Sequence, residues 1–323
     1  MRLVDLLPLP SLRVQRIVAF LVVLSQAGIS VTGAVVRVTS SGLGCPTWPR
    51  CFPGSFTPTR HAAVPFWHQA IEFSNRMLTF AVVLCAALIV LAVLRARRRS
   101  EIVTYAWLMP GGTVLQAVIG GITVRTGLLW WTVSIHLLVS MLMVWLSVLL
   151  FVKVGEPDDG VPAPRVPAPL RWLTVVSAVA LTAVLIAGTF VTGAGPHAGD
   201  QSADKPVKRL QIEIVSLVHA HAEMVVAYLA LIIGLGFGLA AVGMTRPLRN
   251  RLTVLLILVC AQGLVGIVQY FTHVPAALVA VHVGGAAACT AATAALWSAM
   301  RTREHLTAGT TRIAHAVQAA DPA

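Results

Sequence analysis

Histidines 136 and 282, and the pair His219 and His221, lie inside long apolar runs where polar side chains are rare. A further polar cluster, Glu72 with Asn75 and Arg76, opens another such run in IEFSNRMLTF (71–80). An ionisable group inside a membrane span is costly, which marks it as functional before anything else is known. Imidazoles offered by two helices to opposite faces of a flat cofactor are how a four-helix unit holds b-type haem. A carboxylate beside such a group can take a proton during the oxidation of a bound substrate. The competing reading of a single intramembrane histidine is a polar contact between helices.

Repetition favours the cofactor reading. QAVIGGITV begins at Gln116 and QGLVGIVQY at Gln262, and each is followed 20 residues later by a histidine, His136 and His282. ISVTGAVVR around Gly33 likewise matches TFVTGAGPH around Gly193. In this register Asn75 lies 41 residues before Gln116, and His221 lies 41 before Gln262, so Asn75 corresponds to His221. His219 competes with His221, but the two project about 200° apart on a helix, so one of them at most faces a given interior. Glu72 has Val218 as its counterpart, so only the first half carries an acid beside the repeated position. Glu72 is three residues from Asn75 and shares its face; the alternative role for it is an ion pair with Arg76 or another arginine.

The elements that position these groups are membrane helices. Of the 323 residues 57% are hydrophobic and 11% charged, and the mean hydropathy is +0.82; soluble domains do not have this composition. Runs long enough to cross a hydrocarbon core fall near 14–36, 67–94, 103–124, 131–152, 171–193, 211–240, 252–270 and 277–300. The first lacks a small-residue cleavage site and is expected to remain as a span. The fold class expected is an all-α polytopic membrane protein, its eight transmembrane helices forming two pseudo-twofold-related four-helix bundles. The bundles cover 1–152, with an outer cysteine loop at 37–66, and 171–304. A Pro-rich cytoplasmic linker, 153–170, joins them, and 305–323 is a cytoplasmic tail.

With the N-terminus inside, sixteen of the 24 Lys and Arg residues fall on the inner side, including the clusters at 95–99 and 246–251. The positive-inside rule therefore puts both termini in the cytoplasm of a multi-pass protein of a bacterial cytoplasmic membrane. The pI near 10.7 points to anionic lipid headgroups and not to nucleic acid, because the basic residues border spans. In this topology His136, His282, Asn75 and His221 all lie in the outer half of the bilayer. Arg37, Arg76 and Arg125 stand near the outer face, where their forked donors suit haem propionates or headgroups. Cys45 and Cys51, in SGLGCPTWPRC, lie where an oxidising compartment permits a disulfide; free thiols are the alternative, and a metal site is not favoured because the loop offers no convincing further ligands near them beyond His61 and His68. Cys85, Cys260 and Cys289 read as packing residues. His61, His197, His273, His305 and His315 read as solvated.

VTGAVVRVTSSGLGCPTWPRC, IEFSNR, GGITVRTGL, His136, HAHAE and VHVGGAA together resemble the haem A synthase family, over essentially the whole chain. The resemblance implies an oxidoreductase that takes haem O as substrate and converts one methyl group to the formyl group of haem A, with haem b iron as electron-transfer cofactor. It implies haem b on His282 and His221, with His219 as the alternative to His221. It also implies the substrate haem in the first half on His136 beside Glu72, and a disulfide between Cys45 and Cys51. A haem O synthase is the membrane partner the family suggests. The chain departs from the family at Asn75, where Glu-x-x-His-Arg is common. An amide is a poor iron ligand, so the substrate iron is expected to have one strong axial ligand and an open face; His68 is a distant substitute. Two other classes fit part of the pattern: a di-haem electron-transfer cytochrome, which leaves Glu72 without a role, and a small-solute transporter, kept in view by the Gly-rich segments at 111–121 and 263–266. Neither the electron donor, the source of the inserted oxygen nor the oligomeric state has a signature in the sequence.

Overall fold

The computed structural model describes residues 3–60, 64–200 and 206–304. Among these residues eight helices are long and apolar enough to cross a membrane: α1 (Leu12–Val38), α2 (Phe66–Arg95), α3 (Ser100–Arg125), α4 (Trp130–Val154), α5 (Ala168–Ala194), α6 (Ile214–Ala241), α7 (Arg246–Phe271) and α8 (Ala276–Ala299). The protein is an all-α polytopic membrane protein. Helices dominate because a chain in hydrocarbon must satisfy every backbone N–H and C=O internally. Their boundaries have local causes. Ser11 caps α1 by accepting the Val14 N–H at 3.3 Å; proline immediately precedes α2, α5 and α8. Gly127, at φ +66°, turns the chain from α3 into α4.

The packing repeats as the sequence does. α1 to α4 close a ring in chain order, α5 to α8 do the same, and the halves meet where α1 and α4 pack on α8 and α4 packs on α5. Gly284 of α8 lets α1 approach closely, with Val31 3.4 Å from where a Cβ would stand. Each half has its own apolar core: Ala19, Val22, Ile89, Ile102, Met109 and Leu150 in the first, and Tyr228, Ile232, Leu235, Leu252, Leu255 and Leu296 in the second. Both cores occupy the end of the bundle nearer the 155–167 linker. The histidines and Glu72 lie toward the opposite end, under the cysteine loop.

At the linker end the structure adds detail that composition does not show. The linker contributes β1 (Val161–Pro164), which pairs antiparallel with β2 (Arg301–Glu304) beyond α8, Val161 opposite Glu304. The side chains of Arg98 and Arg99 are largely covered: Arg98 binds Asp158 at 2.8 Å and Gln15 at 2.8 Å, and Arg99 binds Glu156 at 2.5 Å and Glu101 at 3.2 Å. Burial pushes the Asp158 carboxyl up, but the Arg99 N–H and the Arg98 guanidinium outweigh it and hold the group below its ordinary value. The expected tail, 305–323, lies outside the described residues.

Candidate functional site

Each half holds its α4- or α8-borne histidine in the same way. Gln116 of α3 donates Nε2–H to the His136 carbonyl at 3.2 Å, and Gln262 of α7 donates to the His282 carbonyl at 2.9 Å. Four residues on, one helical turn, Gly120 faces the His136 ring and Gly266 the His282 ring; a Cβ there would stand 3.4 and 3.7 Å from Cε1. The glutamine pins the backbone and the glycine leaves room for the imidazole. Both rings carry a buried Nδ1 for which no described residue supplies a hydrogen-bond partner. The repeated motif was visible in the sequence as a register mark; its role as a histidine cradle was not.

In the second half a second imidazole completes the arrangement. His221 of α6 stands with its ring centroid 6.4 Å from that of His282, with Gly188 of α5 beside it. His221 Nδ1 lies 3.1 Å from the Val184 carbonyl. A carbonyl only accepts, so Nδ1 carries the proton and Nε2 keeps its lone pair, the orientation a metal-binding imidazole requires. His219 is exposed on another face of α6. Of the two alternatives, the structure brings His221 to His282. Two imidazoles bound to one metal at about 2 Å each have ring centroids a little over 6 Å apart, so this pair fits haem iron. Among the described residues no three His, Cys, Asp or Glu side chains gather around a single ion, and a bis-histidine haem needs only these two from the protein.

The first half differs. Asn75 of α2 is tied by its Oδ1, which accepts the Thr32 Oγ1–H at 2.7 Å. Glu72, 5% exposed, accepts the Cys45 N–H at 2.6 Å on one oxygen and Arg76 at 2.6 Å on the other. Arg76 also donates to the Cys45 and Thr47 carbonyls at 2.8 and 3.1 Å, and Arg125 donates to the Trp48 carbonyl at 3.0 Å. In this structure, therefore, Glu72, Arg76 and Arg125 hold the cysteine loop. Cys45 and Cys51 are brought together as a pair, Cα atoms 4.3 Å apart and side chains fully buried. Trp48 packs flat against Gly121 of α3, and Gly44 lies directly on the His68 backbone. The loop is a lid over the first bundle. His68 belongs to its rim, with Nδ1 3.0 Å from Ser41 Oγ.

Arg37 joins the halves: Nε donates to the His197 carbonyl and an Nη to the Thr192 carbonyl, both at 2.7 Å. His197 corrects an expectation. It is half-buried, its Nε2–H donating to the Val274 carbonyl at 2.8 Å, and is not a solvated loop residue. His273 is exposed as expected; His61, His305 and His315 lie outside the described residues. Thr32 and the lid contacts of Gly44 and Gly121 were missed at the level of sequence. Thr32 carried a signal, since the ISVTG repeat pairs it with Thr192.

Residues 16–199, from α1 through the segment after α5, match the family model described as COX15-CtaA, cytochrome oxidase assembly protein. The chain belongs to this family. Two heme A synthases are similar to part of this chain. That of Geobacillus kaustophilus (strain HTA426) is 33% identical over 98 residues, and that of Geobacillus thermodenitrificans is 29% identical over 98 residues. Each match covers 30% of this chain and 29% of the relative's length.

Proposed function

We propose that the protein is a haem A synthase of a bacterial cytoplasmic membrane, with both termini cytoplasmic and the lid outside. The observation that carries this reading is the glutamine–glycine histidine cradle built twice, opposed by a second imidazole only in the second half. His221 and His282 hold haem b there, where it supplies one-electron transfer. In the first half His136 binds the iron of the substrate, haem O. Asn75, fixed by Thr32, stands at the repeat position of His221 and leaves the other face of that iron for exchange. The methyl carbon is hydroxylated twice and loses water to become the aldehyde, a four-electron oxidation whose electrons pass to an external acceptor, either dioxygen or an acceptor reached through haem b.

Glu72 takes up protons released during these steps, on a carboxylate oriented by Arg76 and the Cys45 N–H. Arg37, Arg76 and Arg125 give the outer face fixed positive charge, which suits the two propionates. Cys45 and Cys51 form a disulfide that holds the lid in shape, and the lid excludes water from the substrate. An optical and pyridine-haemochrome spectrum of protein purified from cells making haem O tests the reading. It should show haem b together with haem O or A. Protein without haem overturns it, and haem b with neither haem O nor haem A restricts the role to electron transfer.

A further inference from the structure

At the linker end a groove of about 180 Å³ opens between the first turns of α5 and the end of α8. Arg171 and Trp172 of α5 line it, with Trp297, Met300 and Arg301 from the end of α8 and beyond. The Arg171 Nε–H is buried and has no acceptor among the described residues. No ion pair among the described residues engages Arg171 or Arg301. The surroundings add positive charge. Arg165 donates its N–H to the Met300 carbonyl at 3.0 Å and its guanidinium to Thr302 at 2.9 Å. Arg251 donates to the Ala295 carbonyl at 2.6 Å. Arg303 has an ion pair with Glu101 at 3.5 Å, and that carboxylate is shared with Arg99 and Lys153. Arg171 and Arg301 thus line a groove to which no carboxylate among the described residues contributes, and Arg165 is hydrogen-bonded to the residues on either side of Arg301.

The groove also has an apolar continuation. Trp172, 67% exposed, is followed along α5 by Val176 and Val179, 49% and 64% exposed; spacings of four and three place all three on one helix face. Trp297 closes the other side, braced edge-on by Trp145 of α4 at 6.0 Å. Tryptophans at headgroup depth mark the bilayer interface, and guanidinium forks recognise phosphate. We propose that this groove binds one anionic phospholipid. Its phosphate is taken by Arg171 and Arg301 and an acyl chain lies along Trp172, Val176 and Val179. The lipid sits at the junction of α4, α5 and α8 and so helps hold the two halves together. This assignment does not rest on the haem reading, and either can fail alone.

The test is native mass spectrometry of the intact detergent-purified protein after titration with phosphatidylglycerol, with phosphatidylcholine, and with inorganic phosphate. Wild-type protein should retain one phosphatidylglycerol and release phosphatidylcholine, and excess inorganic phosphate should displace the lipid poorly. Arg171→Gln and Arg301→Gln should each weaken retention about tenfold, the loss expected for one charge-assisted contact. The double Lys variant, which keeps the charge, should bind within a few-fold of wild type, and R13Q/R249Q, at exposed arginines of the same end, should not differ from it. Matched helical circular dichroism establishes that each variant is folded. Equal retention by R171Q/R301Q and wild type, or equal retention of phosphatidylcholine, overturns the site. Inorganic phosphate competing on equal terms with phosphatidylglycerol overturns the lipid as its occupant.

Discussion

Removing Glu72 should release the lid, and the structure sets the size of the effect. The side chain makes two charge-assisted contacts at 2.6 Å, to the Cys45 N–H and to Arg76, each worth about 1.5–3 kcal/mol. After truncation Arg76 still reaches the Cys45, Thr47 and Arg50 carbonyls, so its charge is not stranded and the lower end of the range applies. Glu72→Ala then costs the docked lid about 3 kcal/mol, and Glu72→Gln, which keeps one acceptor, about 1.5 kcal/mol. Both loop cysteines are 0% exposed, so a reductant reaches the pair only when the lid opens. A loss of 3 kcal/mol raises the open population on the order of a hundredfold, and 1.5 kcal/mol about tenfold. The assay is the rate of maleimide labelling at Cys45 and Cys51 in the presence of a thiol reductant, with C45S/C51S as the background. A rate for Glu72→Ala within threefold of wild type would refute the claim that Glu72 anchors the lid.

Gly44→Ala should raise the same labelling rate with Glu72 intact, because the added methyl falls on the His68 carbonyl and within 3.0 Å of the Gln69 N; overpacking of this kind costs about 1–3 kcal/mol. Asn75→His should add a second low-spin haem spectrum, since it restores an imidazole opposite the one repeated on α4; an unchanged spectrum in haem-replete protein counts against the open-face reading. Acid should undock the linker. The folded Asp158 carboxyl titrates below its unfolded value, which is near ~3.9. Its contribution is therefore complete above the unfolded pKa and fades as pH falls through the folded one. Hydrogen exchange at 156–160, corrected for intrinsic rates, should rise over that acid range in wild type and stay flat in Asp158→Asn.

The eight spans were legible because a hydrocarbon solvent permits little other than uninterrupted apolar helices, and their observed ends lie within a few residues of those expected, α7 excepted. That helix begins at Arg246 and not near 252, as its first turns carry three arginines that no hydropathy window counts as membrane. The repeat was legible because Gln116 and Gln262 perform the same task at the same distance from a histidine. The lid was not. Its contacts join Glu72, Arg76 and Arg125 to backbone carbonyls and N–H groups of the cysteine loop, and main-chain partners leave no mark in side-chain identity. Arg76 and Arg125, placed by position near propionates or headgroups, also hold that loop, as Arg98 and Arg99 hold the linker at the other end. His219 and His221 could be separated only by knowing which face of α6 turns toward α8.

The pairing of His221 with His282 around haem b is the centre of this account. Low-temperature electron paramagnetic resonance of purified protein, with haem content measured on the same samples, tests it directly. Wild type and His219→Ala should show the low-spin bis-histidine signal with one haem b per chain, and His221→Ala and His282→Ala should each lose it. Loss of that signal in His219→Ala, or its survival in His221→Ala, would contradict the account.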